Sequence, residues 1–136
     1  MIEKVCNLWM ERADFRCIPT TGAVADGEAV MDSGVALEAA QKYPSLPLDL
    51  GRLLTSRGNH VHQIRPDVLS FPVKQYAWQP ITIPVIARSV GELIALVGDA
   101  KTLLPRPVLG DRDPSWDQIA AALASLPDNI IVIQHR

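Results

Sequence analysis

The tetrad Ile130-Ile131-Val132-Ile133 constrains the fold of this chain more than any other feature. Four aliphatic residues with no polar residue alternating between them describe a strand covered on both faces. A sheet holding such a strand needs helices on either side of it, so the remaining sequence must supply them.

It does. Ile2 to Leu8 and Phe15 to Pro19 read as strands. A helix runs from Gly34 to Tyr43 and stops at Pro44; a shorter one fits Leu48 to Arg57, with Pro47 near its first turn and Gly58 just beyond it. His60 to Ile64 and Val68 to Phe71 read as two strands joined at Arg65-Pro66-Asp67. From Pro84 to Val97, the residues Ile86, Val90, Leu93, Ile94 and Val97 form one apolar stripe, and Gly98 closes the helix. Thr102 to Pro105 is a short strand. In the last helix Trp116, Ile119, Leu123 and Leu126 share a face, with Asp113 expected as its cap and Pro114 at its first position. This alternation predicts an α/β fold: a three-layer α/β/α sandwich around a mixed central sheet.

A length of 136 residues supports one domain, 1–136, with one real core. With aromatics at 5%, that core is built mainly from Val, Ile, Leu and Ala. Thirteen basic against fifteen acidic residues give a formal charge of −2, which removes the electrostatic case for nonspecific nucleic-acid binding. Cys6 and Cys17 lie in apolar runs and read as buried reduced thiols; no Cys-x-x-Cys pair starts a zinc site. No leader-like segment opens the chain, and the apolar window Ile81–Val97 is broken by Pro84, Arg88 and Glu92. A cytoplasmic protein without a membrane span is the expectation.

In open α/β sheets, ligands gather at the carboxyl ends of strands. Two loops have that placement. The first runs from Pro19-Thr20-Thr21-Gly22 to Met31-Asp32-Ser33-Gly34 and opens a helix, where the backbone N–H groups of Gly34, Val35 and Ala36 could meet an anion. An ordinary helix start capped by Asp32 or Ser33 fits the same residues. The second loop, Pro105 to Asp113, also ends at a helix start and could hold a second phosphate; a solvated turn is its plain alternative. Between them Lys74 follows an apolar strand and reaches the same edge, where a lysine of lowered pKa serves as nucleophile or cation. A surface lysine is the commoner case. His60 and His62 would share one strand face as a pair of metal ligands, but only His135 offers a third, so no metal is expected.

At these loops the sequence resembles a macro domain, the ADP-ribose-binding fold, and in particular compact bacterial and phage-type members related to ADP-ribosyl glycohydrolases. The resemblance spans nearly the whole chain. It is carried by Asn7-Leu8-Trp9, by Cys17-Ile18-Pro19-Thr20-Thr21-Gly22 and most specifically by Gly27-Glu28-Ala29-Val30-Met31-Asp32-Ser33-Gly34-Val35-Ala36-Leu37. Phe71-Pro72-Val73-Lys74, Leu104-Pro105-Arg106-Pro107 and Gly110 followed by Trp116 complete the set.

The resemblance implies roles residue by residue. Asn7 matches the residue contacting the adenine amino group, with the Leu8 backbone beside it. Thr20, Thr21 and Gly22 lie where the first loop meets the distal ribose. Met31, Ser33, Gly34, Val35 and Ala36 match the segment around the diphosphate; Val108, Leu109, Gly110 and Asp111 match the second phosphate loop. Trp9 and Tyr76 are among the few rings able to stack on adenine. Lys74 matches the lysine that some family hydrolases use against the anomeric carbon of the distal ribose, with Asp111 first and Asp113 second as the assisting acid.

Three departures accompany the match. Thr21 stands where the family commonly has asparagine, Pro107-Val108-Leu109 replaces a glycine-rich turn, and the acidic residue falls one position away from its usual place. The implied function is ADP-ribose binding with hydrolysis of its link to a modified protein or nucleic acid, without cofactor or metal. Nucleic acid enters only as modified substrate, and a monomer is expected. The alternatives are a binding module without catalysis, or a hydrolase of ADP-ribose 1″-phosphate or of O-acetyl-ADP-ribose.

Overall fold

The computed structural model describes every residue from Met1 to Arg136. In chain order its elements are β1 (Ile2–Cys6), β2 (Phe15–Thr21), β3 (Val24–Ala25), β4 (Glu28–Ala29), α1 (Gly34–Lys42), α2 (Leu46–Arg57), β5 (Gln63–Arg65), β6 (Val68–Lys74), α3 (Ile83–Val97), β7 (Thr102–Pro105), α4 (Trp116–Leu123) and β8 (Ile130–His135). Six strands form the central sheet in the order β1-β8-β7-β2-β6-β5, while β3 and β4 make a separate hairpin. All neighbours in the large sheet are parallel except the edge pair β5–β6, so the sheet is mixed.

The Ile130–Ile133 run behaves as its pattern requires. Ile130 and Val132 pack among α3 and α4 residues such as Ile86, Leu93 and Ile119. Ile133, with partly buried Ile131, packs on the opposite face among Ala39, Leu46 and Leu50 of α1 and α2. The same split recurs at Cys17/Ile18, Leu69/Val68 and Leu104/Leu103. Adjacent residues entering opposite cores is what a period of two demands. Each fully buried aliphatic side chain contributes roughly 1.5–3 kcal/mol to this arrangement. Cys6 and Cys17 are both buried and free, and burial pushes the Cys17 thiol up.

Several local expectations are corrected. β1 ends at Cys6, because Asn7 and Leu8 turn out of the sheet, with the Met10 and Glu11 N–H groups closing onto Asn7 O. The hairpin β3–β4 lies inside what reads as a loop. Its strands are two residues long and carry no periodicity, yet Asp26 and Gly27 at φ 54° and 80° form the positive-φ pair that an Asp-Gly hairpin turn prefers. Of the expected strand His60 to Ile64 only Gln63 and Ile64 fall within β5, and His60 to His62 lie outside it. Val61 N–H donates to Glu92 and His62 N–H to Ser70 Oγ, so side chains take the donors that a ladder would use. α4 is capped by Ser115 in a reciprocal box with Gln118, not by Asp113. That leaves Asp113 free for another task.

Candidate functional site

The five parallel strands end at Cys6, Thr21, Lys74, Pro105 and His135 along one edge of the sheet. A cleft of about 320 Å³ opens where β2, β6 and β7 end, close to the smaller ligand sites of roughly 300 Å³.

Its first wall is the start of α1. Ser33 occupies the cap position in extended conformation, at φ −154° and ψ 159°, but its hydroxyl makes no capping bond. The Gly34, Val35 and Ala36 N–H groups therefore stand at the cleft without a side-chain acceptor, and no acidic residue lies in the first turn. Gly34 holds φ +57°, a conformation that costs a residue with a Cβ about 1–2 kcal/mol. Of the two expected caps neither closes this helix start. Such a terminus carries a partial positive charge and suits an anion.

The second wall is the segment after β7. Arg106, Pro107 and Val108 line the cleft. Val108 is 81% exposed, and its Cγ2 lies 3.8 Å from where a Cβ of Gly34 would stand. The two loops thus nearly touch across the cleft. Arg106 is less available than its position suggests: its guanidinium stacks 4.0 Å from the Trp116 ring centre and pairs with Glu3 at 2.7 Å.

The floor holds the chemistry. Thr20, Thr21, Val73 and Lys74 line the cleft from β2 and β6, and Asp113 faces it from the second loop. Asp113 Oδ1 accepts from Ile81 N–H at 2.9 Å and Oδ2 from Gly110 N–H at 2.7 Å. Burial raises its pKa, but those two bonds, with Lys74 and Arg112 nearby, outweigh it and hold the carboxyl below its ordinary value. An ionised carboxylate and a lysine amine share one cleft with an anion-seeking helix start.

Of the residues singled out from sequence, the cleft brings together Thr20, Thr21, Asp32, Ser33, Gly34, Val35 and Ala36, along with Lys74, Arg106, Pro107, Val108 and Asp113. It does not gather the others. Met31 is buried in the α1–α2 core, and Leu109 packs against the opposite core. Gly22 donates its N–H to Lys74 O and Gln75 O beneath the floor. Gly110 and Asp111 are exposed and outside the cleft, so it is Asp113 rather than Asp111 that lines it with Lys74. Asn7 and Leu8 lie further along the same edge. Asn7 Oδ1 accepts from Trp9 N–H, its Nδ2 donates to Arg136 O, and Leu8 N–H donates to His135 Nδ1 at 2.9 Å.

Neither expected stacking ring enters the cleft. Trp9 donates Nε1–H to Glu38 and meets Tyr43 edge-on, whereas exposed Tyr76 lies parallel to Trp78. Glu38 also bonds His135 Nε2, and these partners keep its carboxyl below the ordinary range. His60 and His62 are spent separately, on Glu92 at 2.7 Å and Gly58 O at 2.8 Å. No group of three or more His, Cys, Asp or Glu side chains could hold a metal. No helix is long and apolar enough to cross a membrane.

Ala77 and Ile81 also line the cleft and belong to neither loop read from sequence. The readable signal was position, since every loop leaving a carboxyl strand end on this edge faces the same space.

No family model matches the sequence, and no curated protein matches it. Solved structures do. The macrodomain of Mycobacterium tuberculosis DarG superposes with a TM-score of 0.77 at 17% identity, over 99% of this chain and 97% of that one. The macrodomain of Thermus aquaticus DarG gives 0.71 at 18% identity, over 99% and 97%. Thermosipho africanus DarTG, solved in complex with ADP-ribose, gives 0.72 at 12% identity, over 94% of this chain and 39% of that one. With its mixed six-stranded sheet between two pairs of helices, this chain has the macrodomain fold.

Proposed function

We propose that the chain binds ADP-ribose in this cleft and hydrolyses the glycosidic bond joining its distal ribose to a modified protein or nucleic acid. One observation carries the reading: Lys74 and Asp113 flank the cleft that the uncapped start of α1 also lines. The fold likeness to a DarTG structure holding ADP-ribose supports the choice of ligand. The diphosphate lies against Gly34, Val35 and Ala36 beneath Val108, where N–H groups and the helix dipole offset its charge without a field of lysines. The distal ribose then rests over Thr20, Thr21 and Lys74. Adenine extends toward Asn7 and Leu8, whose polar groups exchange their contacts with Arg136 and His135 for the base.

The chemistry uses a deprotonated Lys74. Its Nζ attacks C1″ of the distal ribose, and the bond from C1″ to the acceptor atom breaks with its electron pair. The acceptor takes up a proton, which Asp113 and water relay from the lysine. Water then cleaves the Nζ–C1″ bond, restoring the amine and releasing ADP-ribose. Asp113 orients that water while its own oxygens stay anchored by Ile81 and Gly110. The net change is one water consumed per link broken.

A second reading, capture of ADP-ribose without turnover, is favoured by one observation. Thr21 Oγ1 accepts from Ala23 N–H, which leaves a single O–H donor where a side-chain amide would offer two over the ribose. Incubation with ADP-ribosylated protein and with ADP-ribosylated DNA separates the two. Released ADP-ribose that disappears in Lys74→Ala, with ligand affinity retained, supports hydrolysis; binding with no release from either substrate supports capture.

A further inference from the structure

Three successive carbonyls at the end of β6 are each held by a donor outside the β6 ladder. Ser89 Oγ donates to Pro72 O at 2.7 Å, Thr82 N–H to Val73 O at 3.1 Å, and Asn59 Nδ2 to Lys74 O at 3.1 Å. The register explains why the strand end needs this grip. Thr20 pairs with Pro72 but Thr21 with Lys74, so Val73 is an extra residue in the β6 side of the pair. Such a bulge breaks the alternation and re-aims side chains. Val73 and Lys74 both line the cleft at this strand end, so the bulge lies at the cleft itself.

Asn59 holds the last of the three carbonyls, that of Lys74 itself. It is 8% exposed, and its amide spans Lys74 O and Gln75 Oε1, both at 3.1 Å. The Arg88 guanidinium of α3 holds its backbone carbonyl. On the other side Gly22 N–H donates to Lys74 O, and a Cβ at Gly22 would come within 2.9 Å of the Asn59 amide. Lys74 O can only accept, so the amide nitrogen must face it.

We infer that Asn59, braced by Arg88, is a positioning residue that fixes the bulged end of β6 and thereby aims the Lys74 amine at C1″. The inference rests on the reading of Lys74 as nucleophile, and its test needs no knowledge of the acceptor. Free ADP-ribose opens at C1″ to an aldehyde. Lys74 Nζ adds to that carbon, the carbonyl oxygen leaves as water, and cyanoborohydride delivers hydride to C1″ while solvent supplies the proton on nitrogen. The product is a stable secondary amine on Lys74, read by peptide mass spectrometry, while calorimetry gives the affinity for ADP-ribose.

At saturating ADP-ribose, Asn59→Asp presents a carboxylate to Lys74 O and should slow trapping on the order of 10- to 100-fold, the effect of a reacting group misplaced by about 1 Å, while Kd stays within about twofold. Trapping at the wild-type rate overturns the inference. So does a parallel loss of trapping and affinity, which would mark a general loosening of the fold. Where Asn59→Asp fails to fold, Arg88→Gln decides from outside the cleft: slower trapping at unchanged Kd supports the inference, and unchanged trapping overturns it. A wild-type protein that binds ADP-ribose yet forms no Lys74 adduct refutes the nucleophile itself and takes the positioning role with it. An adduct that persists unchanged in Asn59→Asp refutes the positioning role alone.

Discussion

Gly51 and Gly91 both lie inside helices, and alanine at the two should have opposite effects. In an isolated helix either substitution gains about 1 kcal/mol, because glycine loses more backbone freedom on folding. Gly91 is exposed on α3, and a Cβ there meets nothing within 4 Å. Gly91→Ala should therefore keep most of the gain and raise Tm by about 2–4 °C. Gly51 is buried on α2, where a Cβ would lie 2.2 Å from Gly27 O, 2.9 Å from Glu28 Cα and 3.0 Å from Ala29 N. All three are backbone atoms of the β3–β4 hairpin, so no side chain can swing aside. The overlap is about 1 Å or more, and a cost near the top of the overpacking range, about 3 kcal/mol, less about 1 from helix propensity, leaves about 2 kcal/mol of destabilisation. For a chain of this size that is a fall in Tm of about 8 °C. Because the hairpin leads into the segment Val30–Ala36, Gly51→Ala should also weaken ADP-ribose binding, whereas Gly91→Ala should not. Thermal unfolding by circular dichroism with ligand titration reads both. Equal stability of the two variants would refute the claim that close approach of α2 to the hairpin sets the place of the first loop.

Lys74→Ala should abolish release of ADP-ribose while leaving its binding within a few-fold of wild type, and unchanged turnover would exclude a lysine nucleophile. Asp113→Asn cannot accept both N–H bonds from Ile81 and Gly110 through its amide; it should lower urea stability by about 1 kcal/mol, discounted for partial exposure, and slow turnover more than binding. Asp113 and Glu38 both have folded pKa values below their ordinary ones, so the stability they add is present at neutral pH. It should fade as the pH falls below about 4, through those folded values, giving a urea midpoint that drops on acidification. Glu38→Gln should flatten that dependence.

The central sheet and both helical layers were legible in sequence because they rest on period. Ile130 to Ile133 shows no alternation, and Ile86, Val90, Leu93 and Val97 recur at the helical spacing; burial on those faces then follows. What escaped was decided by contacts between distant segments. His60 to Ile64 alternates like a strand, but it pairs only from Gln63 onward, because Glu92, thirty-two positions beyond His60, binds the His60 ring and takes the Val61 donor. Asp113 before Pro114 has the look of a cap, but Ser115 and Gln118 outcompete it and Asp113 instead anchors Ile81. At the site, Lys74 and the start of α1 could be read from their places after a strand and before a helix. The choice between Asp111 and Asp113 could not, since it turns on which carboxylate the turn points inward. The same holds for Asn59, whose link to Lys74 depends on a bulge that leaves no mark in the local sequence.

Calorimetric titration of the wild-type chain with ADP-ribose tests the central claim most directly. The cleft between α1 and the Val108 loop should give saturable binding of one ADP-ribose per chain. No detectable heat with millimolar ligand would contradict the assignment of this cleft to ADP-ribose.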